Sequence, residues 1–388
     1  MTHSSPDDAC PGALRLHEAA DGPLARIRLP GGMLTSGQLG ALAEAAGDFG
    51  APVLELTSRG NLQIRAIRDA EAVTGLLAAA GLLPSPSHER ARNIVASPLS
   101  GRVGDFPDIR PLVPALDCGL IASPILTELP GRFLFSLDDG RGDLAAMGAD
   151  IGLRHEPGGW RLFLAGRPAS ECRDAPEAAV EHMLAIAETF VRIRGNAWRV
   201  TELPNGAETL ADAIGVSLLE GPPDTASAPH APVGWIEQHP ENGGVGDDGL
   251  VTLGAAVPLG QLTASVAALL AAAEKPVVIT PWRSVLLCDL PHEDADAVLR
   301  VLAPMGLVFD ERSPWLNISS CTGSPGCGRS RTDVHADVRL EVTEELASGI
   351  HSPVHRHWVG CPRACGSPST GQVLVATELG YRPLERHP

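Results

Sequence analysis

The chain has 388 residues, 44% of them hydrophobic and 20% charged, with a formal net charge of −17. That length allows two or three domains with substantial cores, and the balance is that of a folded globular protein rather than a disordered one. The acidic excess, with no basic stripe interleaved with aromatics, argues against a nucleic-acid partner.

The opening MTHSSPDDACPGA has no basic segment leading into an apolar core. The longest apolar stretches, such as Ala264 to Ala273, are too short to cross a bilayer, so a cytoplasmic protein is expected. Lys275 is the only lysine, so any cationic site must be built from arginine. Arginine suits two-pronged capture of carboxylates.

In chain order, Pro30 to Ile67 reads as a Gly-rich turn, an amphipathic Ala/Leu helix, a proline, an apolar strand, a threonine, an Arg-bearing turn and a second strand. Gly254 to Leu290 reads in the same order, pairing Gly31 with Gly254, Leu39 with Leu262 and Thr57 with Thr280. Two such α+β half-units can complete one another's sheet. Between them, RFLFSL (Arg132 to Leu137) and WRLFLAG (Trp160 to Gly166) read as strands. Glu177 to Arg194 reads as a helix, and the Pro/Ala/Ser-rich stretch 203–233 as a connector.

Eight cysteines occur in a chain that is neither small nor evidently secreted, which argues against a disulfide framework. Cys10, Cys118, Cys172 and Cys288 are scattered and read as small buried hydrophobes. Cys321 and Cys327 form C-x5-C, Cys361 and Cys365 form C-x3-C, and prolines and glycines punctuate both loops. Four thiolates are what a [4Fe–4S] cubane needs, one per iron, with loop N–H groups free to point at the sulfurs. Structural zinc is the competing reading; its usual knuckles accommodate the x3 spacing but not the x5 spacing. Just upstream lie His351, His355 and His357, and His335 follows the first pair. Alternation would put His355 and His357 on one face of a strand, as a ligand pair or, more commonly, as polar neighbours of a cluster or of substrate carboxylates.

The late C-x5-C and C-x3-C pairs behind duplicated half-units resemble the siroheme nitrite/sulfite reductase superfamily. Thr57-Ser58-Arg59-Gly60-Asn61-Leu62-Gln63-Ile64-Arg65 looks like its first arginine motif, and Arg92-Asn93-Ile94 with Pro98 and Gly101 like its second. Leu129-Pro130-Gly131-Arg132-Phe133 looks like the start of its first α/β domain. Within the superfamily, the chain's modest length, Thr280-Pro281-Trp282-Arg283 and the segments WLNISSCTGSPGCGRS and HWVGCPRACG are in the style of the precorrin-3B synthase subfamily. Where sulfite reductases place two lysines for the inorganic anion, Arg132 stands first and Leu134 second, which weakens the case for a small dianionic substrate.

The resemblance implies an α+β fold of two ferredoxin-like half-domains forming one pseudo-twofold domain, plus two α/β nitrite/sulfite-reductase-like domains. The divisions expected are 1–88, 89–202, a 203–233 linker, 234–310 and 311–388, the last carrying the cluster. It implies an iron–sulfur monooxygenase of cobalamin biosynthesis that uses O2 to hydroxylate precorrin-3A and close a γ-lactone. Arg59, Gln63, Arg65, Arg92, Asn93, Arg132 and Arg283 would hold the substrate's carboxylates. A separate non-haem iron is allowed for, though no ligands are assigned to it. In the siroheme reductases the residue at the place of Cys365 also bridges to the haem iron; siroheme is expected only on the alternative reading, a nitrite or sulfite reductase. No G-x-G-x-x-G loop follows a strand, so electrons are expected from an external donor or partner reductase. Duplicated half-units supply internal pseudo-symmetry, and a monomer is expected.

Overall fold

Hydrophobic periodicity and two glycine turns set up the same local structure twice. The computed structural model describes residues 10–221, 231–238, 249–368 and 370–384. The first half-unit runs β1 (His17–Ala19), β2 (Gly22–Ile27), β3 (Met33–Leu34), α1 (Ser36–Phe49), β4 (Val53–Leu56), β5 (Leu62–Ile64) and α2 (Ala70–Ala79). An α/β unit follows: β6 (Ile94–Ala96), α3 (Leu112–Ala122), β7 (Phe135–Asp138), β8 (Ile151–Glu156), β9 (Gly159–Leu164), β10 (Arg167–Arg173), α4 (Pro176–Ile193) and α5 (Ala207–Ile214). The second half-unit runs β11 (Gly234–Glu237), β12 (Leu250–Ala256), β13 (Gln261–Thr263), α6 (Ala264–Ala272), β14 (Val277–Ile279), β15 (Ser284–Pro291) and α7 (His292–Leu302). The last unit is β16 (Ile318–Ser320), α8 (Val334–Ser348), β17 (Arg356–Val359), β18 (Gln372–Thr377) and β19 (Gly380–Pro383).

The half-units exchange strands. One sheet has the order β1-β2-β5-β4-β13 and its twin β11-β12-β15-β14-β3. Leu262 pairs with Leu54 across the first junction and Leu34 with Val277 across the second, the same register in both. Gly32 makes this possible: at φ +70 it lies so close to the Ile279 carbonyl that a Cβ would come within 2.0 Å of the oxygen. Helices α1 and α6 pack antiparallel through small residues, Gly40 against Ala271 and Gly47 against Ala264. One hydrophobic core runs through both half-units, from Ala25 and Leu39 to Leu270 and Leu287.

The repeat is real in structure, with a shift in its pairing. Thr35 and Thr263 are the side-chain caps of α1 and α6, so the helix starts correspond at an offset of 228 rather than the 223 that pairs Gly31 with Gly254 and Leu39 with Leu262. Helix α1 has 14 residues and α6 has 9, and this difference of 14 − 9 = 5 restores the 223 offset at Thr57 and Thr280. Sequence similarity among Ala/Leu helices could not detect the deletion.

The α/β unit carries the sheet β10-β9-β8-β7-β6, parallel at β6–β7–β8, with its own core beneath α3 and α4. The expected connector is partly folded: α5 buries Ala207, Leu210 and Ala211 against α4 and β9, because its apolar residues fall on one helical face. Of that connector, residues 222–230 lie outside the described residues. The last sheet, β16-β17-β18-β19, is likewise parallel across its first three strands. Among the described residues no helix is long and apolar enough to cross a membrane.

Candidate functional site

Both cysteine loops leave the carboxyl ends of adjacent parallel strands, β16 and β17. Open α/β sheets place ligand crevices there. The Cys321 N–H donates to the Trp358 carbonyl at 2.9 Å, and the Gly360 N–H donates to Cys321 Sγ at 3.3 Å. Further backbone bonds close each loop, Cys327 N–H to the Gly323 carbonyl at 2.8 Å and Ala364 N–H to the Cys361 carbonyl at 3.2 Å. All four cysteines, Cys321, Cys327, Cys361 and Cys365, line one cleft of about 420 Å³ together with Arg65 and Thr322. Burial pushes the Cys321 thiol up, against the N–H groups of Gly360 and Gly323.

Thr322 also lines an adjoining cavity of about 200 Å³, whose wall includes Arg26, Glu55, Gln63, Arg283, Ser320 and His335. Arg26 donates to Gln63 Oε1 at 3.0 and 2.5 Å, and Gln63 donates to Glu55 at 3.2 Å. Burial pushes the Glu55 carboxyl up while the Arg65 charge pulls it down. His335 is held neutral: burial first, then Arg339, lowers its pKa to about 4. Gln261 donates to His335 Nδ1 at 3.0 Å, and the Gln261 oxygen accepts from Arg339.

The residues expected around the substrate separate into three groups. Gln63 and Arg283 line the cavity, and Arg65 lines the cysteine cleft. Arg59 lies near Arg199 and Arg26, where burial first and then Arg199 lowers its pKa to about 10. Arg92, Asn93 and Arg132 are not brought to either space. Arg92 forks onto Asp117 at 2.6 and 2.7 Å, while Asn93 accepts from Asn61 and donates to the Phe133 carbonyl, both at 3.0 Å. Arg132 is exposed with its guanidinium 6.0 Å from the Trp198 ring, and Leu134 is buried beside Val95 and Leu144.

His357 lies in β17 and His355 immediately before it, and both hydrogen-bond Ser319 Oγ at 2.8 Å; His357 Nε2 also meets the Cys365 carbonyl at 3.0 Å. Among the described residues no three His, Cys, Asp or Glu side chains are grouped so that they could hold a metal ion. Of the scattered cysteines, Cys288 is fully buried, Cys10 and Cys172 are half-buried, and Cys118 is exposed. Cys118 departs from expectation because the buried stripe of α3 is Leu112, Val113, Leu116 and Leu120, and position 118 falls off it. Arg26 and Glu55 were missed by sequence reasoning, while His335 was singled out there as the histidine that follows the first cysteine pair. Arg26 carried a faint signal, an arginine alternating with apolar residues on a strand; Glu55 had none.

Interlocked half-units over two α/β sheets, with paired cysteine loops at strand ends, define the fold of the nitrite/sulfite reductases. Residues 17–80 match the family model described as the nitrite/sulfite reductase ferredoxin-like half domain. The structure of the NirA protein of Mycobacterium tuberculosis superposes with a TM-score of 0.72 at 19% identity, covering 94% of this chain and 77% of that one. Two curated relatives are equally similar. The ferredoxin–nitrite reductase of Synechococcus elongatus is 28% identical over 394 residues, 90% of this chain and 75% of its own. The precorrin-3B synthase of Sinorhizobium sp is 28% identical over 393 residues, 96% of this chain and 81% of its own. Along nearly its whole length the chain thus resembles both a precorrin-3B synthase and a ferredoxin–nitrite reductase.

Proposed function

We propose that the protein is an oxidoreductase of the precorrin-3B synthase type, which uses O2 to hydroxylate precorrin-3A and close a γ-lactone. The observation that carries this reading is that four cysteines line one cleft, which shares Thr322 with a cavity lined by Arg26 and Arg283. The cysteine set fits a [4Fe–4S] cluster better than a single ion. A cubane spreads its four thiolates one per iron, and here the four share a cleft without forming a group able to hold one metal ion. The cluster would be held by Cys321, Cys327, Cys361 and Cys365 and would supply one-electron transfer. The chain's own part is to orient and to exclude. The Gly360 N–H points at sulfur, Arg65 holds the first cysteine loop, and Arg283 and Gln63 present cations and amides to a polyanionic substrate. One oxygen atom enters the product and the other leaves as water, so two electrons must arrive from an external donor. Arg329, Arg331 and Arg363 are exposed around the cysteine loops, a cationic rim on an acidic protein that suits an acidic donor. The domain division given above, with the cluster in 311–388, belongs to the same proposal.

The equal similarity to a nitrite reductase keeps a siroheme-dependent reductase as the second reading. Against it, Arg132 and Leu134 do not converge on a cavity. One experiment separates the two: purified, reconstituted protein is incubated aerobically with precorrin-3A and a reductant, and its pigment is extracted. A product heavier by one oxygen and no siroheme bands are expected. Stoichiometric siroheme with turnover of nitrite or sulfite would transfer the conclusion to the second reading.

A further inference from the structure

We propose that His357 and His335 are positioning residues, one for each cysteine loop: each holds the carbonyl of a cysteine and so presents the N–H of the same peptide unit to a cluster in the cleft. This rests on the cluster half of the reading above and not on the tetrapyrrole half.

His357 is the clearer case. It is fully buried in β17, and its Nε2 meets the Cys365 carbonyl at 3.0 Å. A carbonyl can only accept, so Nε2 carries the ring proton. The other ring nitrogen is fixed by Ser319, whose Oγ lies 2.8 Å from Nδ1. Ser319 stands opposite His357 in the register of β16 and β17, the two strands whose ends carry the cysteine loops. The ring is thus anchored on the strand of the first loop while it holds the last cysteine of the second. His357 Cε1 also lies 3.6 Å from the Cβ position of Gly366, which follows Cys365 at a left-handed φ of +79.

His335 repeats the arrangement on the first loop. Its Nδ1 accepts the Gln261 amide N–H at 3.0 Å, and the ring donates to the Cys321 carbonyl. With Nδ1 accepting, Nε2 is the donor. His335 lies in the first turn of α8 and Gln261 in β13, so this loop is tied to the second half-unit.

Peptide geometry gives these bonds their consequence. In a planar trans unit the N–H points opposite the C=O, so fixing one aims the other. The units concerned are Cys321–Thr322 and Cys365–Gly366. Among the described residues neither the Thr322 nor the Gly366 N–H has a hydrogen-bond partner, whereas those of Cys327, Ser330, Ala364 and Ser367 are spent on carbonyls of their own loops. Cys321, Thr322 and Cys365 line the cysteine cleft and neither histidine does, so each carbonyl is held back and each N–H is left on the cleft side. A hydrogen bond at the carbonyl also polarises the unit and strengthens its N–H as a donor. N–H donors to cluster sulfurs stabilise the more negative, reduced state and raise the potential.

The test uses full-length, cluster-reconstituted protein poised at the wild-type midpoint. His357→Leu and His335→Leu, with iron content matched to wild type, should each lower the reduced-to-oxidised ratio about three- to tenfold, the worth of roughly one hydrogen bond. His357→Gln and His335→Gln keep an N–H donor and should restore most of the ratio. After exchange into D2O, deuterium couplings to the reduced cluster in pulsed electron paramagnetic resonance should weaken in the Leu variants and return in the Gln variants. If His357→Leu does not fold, the His335 pair carries the same measurement. An unmoved ratio in the Leu variants that fold, or a drop that glutamine fails to restore, would overturn the proposal and mark the rings as structural. Wild-type protein that takes up no [4Fe–4S] cluster would overturn the cluster reading and this proposal together. Loaded protein that shows the shifts but leaves precorrin-3A unoxidised would overturn only the enzymatic reading.

Discussion

Arg65 is fixed from three directions. Asp21 takes two of its N–H groups at 2.8 and 2.7 Å, the Gly326 carbonyl accepts another at 2.8 Å, and Glu55 lies 3.8 Å away. A Cβ at Gly326 would come within 2.9 Å of Arg65 Nη2, so the guanidinium lies flat against the first cysteine loop. Arg65→Gln should destabilise the chain by about 2–4 kcal/mol, since it strands Asp21 without its cation. It should also lower the iron and acid-labile sulfide retained after reconstitution, whereas full retention would show that the loop holds without the brace. Asp143 shows the opposite electrostatic logic. Burial pushes its carboxyl up to about 7 despite the hydroxyl that Ser97 donates at 2.7 Å. From its ordinary value to about 7, the folded chain keeps a proton that the unfolded chain releases, so this group's contribution to stability falls as pH rises through that window. Asp143→Asn should therefore raise stability at pH 8 by about 1–2 kcal/mol relative to its effect at pH 4.5, read from denaturant midpoints at both pH values.

At the scale of elements, the junction between half-units sets what glycine changes do. Gly32→Ala would drive a methyl into the Ile279 carbonyl at a left-handed position. It should cost about 3 kcal/mol or more, through both strain and the lost β3–β14 pairing. Gly75 lies inside α2, at an ordinary helical φ, with nothing within 4 Å of its Cβ position. Gly75→Ala should add about 1 kcal/mol. Equal effects in chemical denaturation would contradict the interlocked arrangement. The caps follow the same reasoning: Thr35 and Gln38 form a reciprocal capping box on the 14-residue α1, while the 9-residue α6 has only Thr263 accepting from the Val266 N–H.

For the whole molecule, charge decides how a donor approaches. A net charge of −17 repels an acidic protein overall, while the exposed Arg329, Arg331 and Arg363 give the cysteine loops a local cationic rim. Replacing Arg329 and Arg363 by glutamate should slow reduction by an acidic ferredoxin at low ionic strength about tenfold or more, and added salt should shrink the difference. Photoreduced deazaflavin, which needs no docking, should reduce both proteins equally; a matching loss there would point to a damaged cluster loop. Across the units, Arg102 bridges to Asp289 at 2.8 and 3.0 Å, tying the α/β unit to the second half-unit.

Local pattern was enough for much of this. The two half-units, the helix at 176–193, the strands around 135–138 and 159–164 and the spacing of Cys321, Cys327, Cys361 and Cys365 are all written in periodicity and in residue types whose chemistry is narrow. The partner of each charged side chain is not written there, because it is fixed by contacts between segments far apart in the chain. Nothing near Arg92 in sequence announces that Asp117 will hold it, nor that Asn61 will take Asn93. The five residues missing from α6, the folding of α5 onto the α/β core, and the choice of Arg65 as brace were settled only when the half-units interlocked and the strand ends brought both cysteine loops to one cleft.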